Sequence, residues 1–290
     1  MTRAAQSSHP PTGVVVGVDG SDCAWEALDW AAAEADARRA QLTIAYVLAD
    51  WPAAQPEPAA VWALGERTGR TVVDTAARRA RAAAPDLSVD TRVLSGPPAA
   101  CLVGLAARAD LLVVGSRGSG GFAALLLGSV AGSAAAHASC AVVVVRGAAP
   151  ARGPVVVGVD GSTAGTKALR YAFEYAASHR RAVRAFHAYR NFVPGIGPYP
   201  GVPVEADMLR EEAEQFAREE TRRWAAEFPE VPLEVVVDCG APARRLVEES
   251  AAAGLLVVGS RGHGGFAGLL LGSVGQAVIR HAHCPVAVVH

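Results

Sequence analysis

Two glycine runs carry the clearest chemical potential in this chain. The first is Gly115-Ser116-Arg117-Gly118-Ser119-Gly120-Gly121, and nine residues separate Gly118 from Gly128-Ser129-Val130. Glycine lets backbone N–H groups approach a ligand with no Cβ in the way, and consecutive inward N–H groups make an anion nest. A helix opening at Ser129 adds unpaired N–H groups, the positive end of its dipole and a hydroxyl. Loop and helix start are therefore predicted to form a two-sided polyphosphate cradle. The second run offers the same parts in Gly259, Ser260, Arg261, Gly262, His263, Gly264, Gly265, Gly272, Ser273 and Val274. Arg117 and Arg261 are within reach of a phosphate, though they are equally ordinary as surface residues. His263 stands where the first run has Ser119, and reads either as a phosphate contact or as an exposed side chain. One such loop alone is as well explained by a tight strand-to-helix turn. Two nearly identical ones, in a chain whose remaining sequence has drifted, favour a ligand.

Asp19 and Asp160 are the second chemical signal. Each ends an apolar run, two residues after Gly17 and Gly158 respectively. A carboxylate at such a strand end can accept hydrogen bonds from a ribose hydroxyl or hold a divalent cation beside phosphates. It can also cap the helix that follows, and the two roles are compatible.

These residues recur because the chain is a tandem repeat. Residues 14–21 (VVVGVDGS) return unchanged at 155–162, an offset of 141. Residues 113–130 and 257–274 share 16 of 18 positions at an offset of 144. Two domains follow, residues 13–146 and 155–290, joined by a Gly- and Pro-rich linker at 147–154. Each copy alternates β-branched runs with alanine-rich, helix-period segments. In the first copy strands are expected at Val14–Val18, Leu42–Leu48, Ser88–Leu94, Leu111–Val114 and Ala141–Val145. Helices are expected to about Arg39, over Ala60–Ala84, over Ala99–Arg108 and from Ser129. Proline-rich loops interrupt at 51–58 and 191–203. The alternation predicts an α/β fold of two doubly wound parallel sheets, whose ligands bind at the carboxyl ends of strands where strand order reverses.

Composition narrows the function. The chain has 290 residues, 51% of them hydrophobic, and 27 basic against 28 acidic side chains. That balance supplies no overall positive field for nucleic acid or an anionic membrane. No apolar run reaches the roughly 20 residues of a membrane span, and the polar N-terminal stretch does not read as a signal peptide. Five cysteines, an odd set with no C-x-x-C pair, point to reduced thiols and a cytoplasmic protein. Only one basic residue, Lys167, is a lysine. Its surroundings lack the P-loop spacing, so a Walker phosphoryl-transfer site is not expected. Gly118-x-Gly120-x-x-Ala123 fits a dinucleotide fingerprint in form, but it follows the fourth strand and no ribose-binding acid lies about twenty residues on. The His281-Ala-His283-Cys284 cluster keeps only His137 and Cys140 in the first copy, and no nucleophile elbow occurs, so neither a metal site nor a dedicated catalyst is expected.

With these motifs in hand, the chain resembles the universal stress proteins in their tandem, ATP-binding form, from Val14 to His290. The resemblance rests on G-x2-G-x9-G-[ST], present as Gly115, Gly118, Gly128, Ser129 and as Gly259, Gly262, Gly272, Ser273. It implies a flavodoxin-like, adenine nucleotide alpha hydrolase-like sheet of five parallel strands per domain, with the domains paired through their last strands. It also implies ATP, with Mg²⁺, at one site per domain. The nucleotide-contacting aspartate falls on Asp19 and Asp160, and the adenine pocket on Val47 and Ala188. The expected role is a nucleotide-dependent regulator of stress adaptation or growth with little hydrolysis, acting as a homodimer or intrachain pseudo-dimer. A cyclic-nucleotide sensor, a ligand-free scaffold and a weak ATP-hydrolysing enzyme stay open beside it.

Overall fold

The computed structural model describes residues 13–49, 59–118, 126–147, 153–189, 206–263 and 270–290. The chain divides into two compact units, residues 1–146 and 147–290. In the first unit the elements run β1 (Val14–Gly17), α1 (Asp22–Ala37), β2 (Leu42–Leu48), α2 (Ala59–Ala83), β3 (Val89–Ser95), α3 (Pro98–Leu105), β4 (Leu111–Gly115), α4 (Ser129–His137) and β5 (Ala141–Val145). The five strands lie in the order β3-β2-β1-β4-β5, every neighbouring pair parallel. Strand order reverses between β1 and β4, which makes that gap the switch point of the sheet.

Burial explains the sequence pattern. Val14, Val15 and Val16 of β1 and Leu111, Leu112 and Val113 of β4 are wholly buried, as continuous apolar strands covered on both faces must be. Alanine dominates α1 because Ala24, Ala27, Ala31 and Ala35 lie against the sheet, where small side chains let the helix pack closely. That helix stops at Ala37, two residues short of the expected end. Arg39 turns left-handed (φ 51°), and the Ala40 N–H bonds back to the Ala35 carbonyl. The helix predicted at 99–108 is likewise split into α3 and a 3₁₀ turn over Ala106–Arg108.

The second unit repeats the plan with β6 (Val155–Gly158), α5 (Thr163–His179), β7 (Val183–Tyr189), α6 (Ala206–Glu227), β8 (Leu233–Cys239), α7 (Pro242–Glu249), β9 (Leu255–Gly259), α8 (Ser273–His281) and β10 (Val286–Val289). Its parallel order is β8-β7-β6-β9-β10. The proline-rich loops at 51–58 and 191–203 fall outside the described residues, as do Ser119, Gly120, Gly121, Gly264 and Gly265.

Candidate nucleotide cleft

In the first unit the switch point opens into a cavity of ≈ 1010 Å³ at the carboxyl ends of β1, β2 and β4. That lies at the upper end of the size usual for small-molecule and cofactor sites. Two helices aim their N-termini into it. Asp22, Cys23 and Ala24 line it from α1, and Gly128, Ser129, Val130 and Ala131 from α4. Gly128 caps α4 without a side chain, and its carbonyl accepts from the Gly132 N–H. The Ser129, Val130 and Ala131 N–H groups therefore have no partner within their own helix, and the partial positive charge of two helix dipoles faces one space.

The glycines of the repeated signature do different work. Gly115 ends β4 where the backbone of α1 crosses it: a Cβ there would lie 2.6 Å from the Cys23 carbonyl oxygen. Gly259 meets Ala164 and Gly165 of α5 in the same way, at 2.8 and 2.9 Å. These two are packing glycines, required by helix-on-strand approach. Gly118, which lines the cavity, and Gly262 are both exposed, and a Cβ on either would stand 2.5 Å from an aspartate oxygen, Asp19 Oδ2 or Asp160 Oδ2. They bring the loop backbone up to that carboxylate. Gly128 closes the loop, its N–H donating to the Ser116 carbonyl at 2.8 Å, and Gly272 does so to Ser260 at the same distance.

Asp19 is not itself the helix cap. Its Oδ1 accepts from the Ser21 N–H at 3.0 Å and the Ser21 hydroxyl at 2.6 Å, and Ser21 in turn caps α1 by accepting from the Ala24 N–H. Asp160 repeats this with Ser162, at 3.0 and 2.7 Å. The Ser162 hydroxyl also lies 3.1 Å from the Arg261 carbonyl and has one proton to share between them. Gly20 and Gly161 follow with positive φ (85° and 75°), turning the chain away so that the carboxylate stays at the strand end.

The expected site residues separate accordingly. Gly17, Asp19, Val47, Gly115, Arg117, Gly118, Gly128, Ser129 and Val130 all line the one cavity. Ser116 does not. Its side chain is buried and its hydroxyl points at Cys23 Sγ, 3.9 Å away, so it holds the loop to the domain. Ser260 is buried alike. In the second unit Gly158, Asp160, Gly259, Arg261, Gly262, Gly272, Ser273 and Val274 occupy equivalent places at the ends of β6 and β9 and the start of α8. His263 Nε2 comes within 3.5 Å of the point a Cβ on Gly161 would take, and Ala188 pairs in register with Asp238.

Sequence reasoning missed the far wall. Tyr46 and Leu48 of β2 and Val61, Trp62, Leu64, Gly65 and Thr68 of α2 complete the first cavity. Trp62 remains 37% exposed and Leu64 56%, which leaves apolar surface open to the cleft. The available signal was Gly65 and Gly69, four residues apart inside a helix. A Cβ at Gly65 would meet Leu48 at 2.7 Å, and one at Gly69 would meet Tyr46 at 2.7 Å. The second unit rebuilds this wall: Leu209 and Ala213 replace the glycines, and His187 takes the place of Tyr46. His187 holds its Nδ1 2.8 Å from the Val159 carbonyl, and its ring packs on Phe216 with centroids 4.8 Å apart.

Parallel sheets that reverse strand order at a switch point, with a glycine loop and an aspartate at the strand ends of each unit, define a tandem, flavodoxin-like α/β protein with a cavity at the switch point of its first unit. The universal stress protein family model matches residues 12–146 and again 152–290. The chain belongs to the universal stress protein family. Universal stress protein Rv2005c of Mycobacterium tuberculosis is 38% identical over 289 residues, covering 95% of this chain and 96% of that protein. Universal stress protein Rv2623 of the same species is 35% identical over 294 residues, covering 97% of each. A universal stress protein from Archaeoglobus fulgidus shares the fold with a TM-score of 0.70 at 18% identity, over 95% of this chain and 97% of that one.

Proposed function

We propose that each unit binds an adenine nucleotide, ATP with Mg²⁺ in the first instance, and that the protein is a nucleotide-dependent regulator of stress adaptation rather than a rapid enzyme. The observation that carries this reading is the convergence of two helix N-termini, the Gly118 backbone and the Asp19 carboxylate on one cavity whose opposite wall is apolar. Phosphates fit the first side, because unpaired N–H groups and dipoles favour negative charge. A flat purine fits the other, between Val47, Leu48 and Gly65, with Asp19 accepting from the ribose.

Among the described residues no group of three His, Cys, Asp or Glu side chains gathers as a metal site. Mg²⁺ would accordingly arrive with the phosphates and keep most of its waters, with Asp19 the protein oxygen best placed to join them. The charged residues lining the first cavity are Asp19, Asp22 and Arg117. No lysine and no histidine is among them, and Arg117 is the single cation of that lining, so turnover should be slow. No helix of the described residues is long and apolar enough to cross a membrane.

The test is mass spectrometry of nucleotide released on denaturing the purified protein, with calorimetric titration of ATP into nucleotide-free protein. Release of ATP and saturable binding support the reading. Release of a cyclic or monophosphate nucleotide in its place would reassign the ligand, and absence of both release and binding would leave the fold as a scaffold.

A further inference from the structure

The far wall of the first cavity ends in an aromatic side chain that the packing of the unit leaves open. Trp62, Gly65 and Gly69 fall at i, i+3 and i+7 of α2 and so share one stripe of that helix. Gly69 lies against Tyr46 and Gly65 against Leu48, where a Cβ on either glycine would come within 2.7 Å of the facing side chain. The helix therefore runs back along β2, passing about two strand residues with each turn. One turn before Gly65 the same stripe reaches the carboxyl end of the strand, and Trp62 is the residue it carries there. Its indole lines the cavity together with Leu48, Ala49 and Leu64.

Packing does not account for so large a ring at that place. Trp224 of α6, a tryptophan that does serve packing, is 5% exposed and has the Arg223 guanidinium 5.0 Å over its ring. Trp62 is 37% exposed, and among the described residues no aromatic ring or guanidinium stacks on it. An open indole gains most from a flat apolar partner that covers its face. Its position selects the partner. Val47, Leu48 and Gly65 beside it bound the space that suits a purine, and the N-termini of α1 and α4 line the same cavity where phosphates fit. Nucleobases stack on aromatic side chains through their π-faces.

From this we propose that Trp62 stacks on the nucleobase and makes the first unit prefer purine to pyrimidine nucleotides. The inference rests on nucleotide binding at the first cavity. A purine has two fused rings against one, covers more of the indole and gains more from the contact. Removing an aromatic partner weakens a stacked base by about five- to 150-fold, and a ring at the open rim of a cavity belongs near the lower end. That corresponds to roughly tenfold for ATP and about threefold for CTP. At the equivalent place α6 has Ala206, so the second unit lacks this ring.

The experiment uses the full chain carrying Gly262→Val, which drives a side chain at Asp160 and so confines the measurement to the first unit. ATP, CTP and inorganic tripolyphosphate are titrated calorimetrically into this chain and into versions that add Trp62→Ala or Trp62→Phe. Trp62→Ala should weaken ATP about tenfold and CTP about threefold, and leave tripolyphosphate unchanged. As a substitution at an exposed side chain it should move Tm by no more than about 1 °C. Trp62→Phe should keep most of the ATP affinity, because a phenyl ring still stacks, and lose the part of the ATP-induced quench of tryptophan emission that Trp62 supplies. That quench is also read in the chain without Gly262→Val, so the outcome does not depend on the obstruction. Four results overturn the inference and leave nucleotide binding standing: ATP affinity unaltered by Trp62→Ala, tripolyphosphate weakened as much as ATP, a Trp62→Phe variant as weak as Trp62→Ala, or nucleotide binding with no emission change that depends on Trp62. Failure of the unaltered chain to bind either nucleotide overturns both.

Discussion

Replacing Gly115 and Gly118 by alanine, three residues apart in one loop, should have opposite consequences. At Gly115 the new Cβ would sit 2.6 Å from the Cys23 carbonyl oxygen, 2.8 Å from its carbon and 3.1 Å from the Ala24 nitrogen, all of them backbone. Ordinary contact begins near 3.4 Å, so α1 must retreat by about 0.8 Å from a sheet on which Ala24, Ala27, Leu28, Ala31 and Ala35 are buried. Overpacking of that kind costs about 1–3 kcal/mol. For a unit of this size that is a fall in Tm of about 3–9 °C. At Gly118 the new Cβ would meet a side chain only, Asp19 Oδ2 at 2.5 Å. The loop keeps its closure through Ser116 and Gly128, so Tm should move by no more than about 1 °C. The carboxylate must turn aside, however, and if it accepts from the ribose as proposed, losing that one hydrogen bond should weaken nucleotide binding by roughly tenfold. Differential scanning calorimetry of the nucleotide-free protein and titration with ATP separate the two outcomes. A Gly115→Ala variant with unchanged Tm, or a Gly118→Ala variant as unstable as Gly115→Ala, would refute this division of labour between packing and binding glycines.

Further expectations follow from other parts of the structure. Asp19→Asn removes the charge beside the loop while keeping the acceptor for Ser21, and should weaken ATP at the first cleft by about tenfold with little change in Tm, measured by titration of the Gly262→Val chain. Phe216→Val shortens the side chain to that of the equivalent Val72; losing the ring contact with half-buried His187 should cost about 1–2 kcal/mol, read as a lower midpoint in urea. Burial pushes the Cys140 thiol up to about 11, so at pH 8 a thiol reagent should label exposed Cys239 rapidly and leave Cys140 unmodified until the protein unfolds. His290 has its folded pKa depressed, chiefly by burial, so the unfolded chain takes up its proton first. Stability should therefore fall as pH drops below about 6.5, and His290→Asn should flatten that part of a Tm–pH curve.

Much of the fold was legible because its determinants are local or periodic. Continuous runs such as Val14–Val16 and Leu111–Val113 require a strand covered on both faces, and their alternation with helices leaves a parallel sheet as the consistent solution. The glycine-loop side of the cleft was legible for a similar reason: glycine, serine and aspartate mark backbone geometry directly. The wall formed by α2 was not. Trp62 and Thr68 reach the cavity only through the packing of that helix on β2 and β3, and nothing in their own spacing distinguishes a cleft wall from a solvent-facing side.

By itself the sequence determined that the chain is a repeat, that each copy is a parallel α/β domain, and that Asp19, Asp160 and two glycine loops meet at a strand-end edge. Only the tertiary structure decided which glycines serve packing and which stand beside the strand-end aspartate. Gly115 and Gly118 look alike in sequence, and differ because the backbone of α1, some ninety residues earlier, crosses one and a carboxylate meets the other. Lys167 is the same case. As the sole lysine it reads as an isolated surface charge, until the fold sets its ammonium on the His290 carbonyl, 123 residues away, beside Arg261. Contacts at that separation are fixed by how strands order in the sheet and how helices cover it, and local residue preferences carry no record of either.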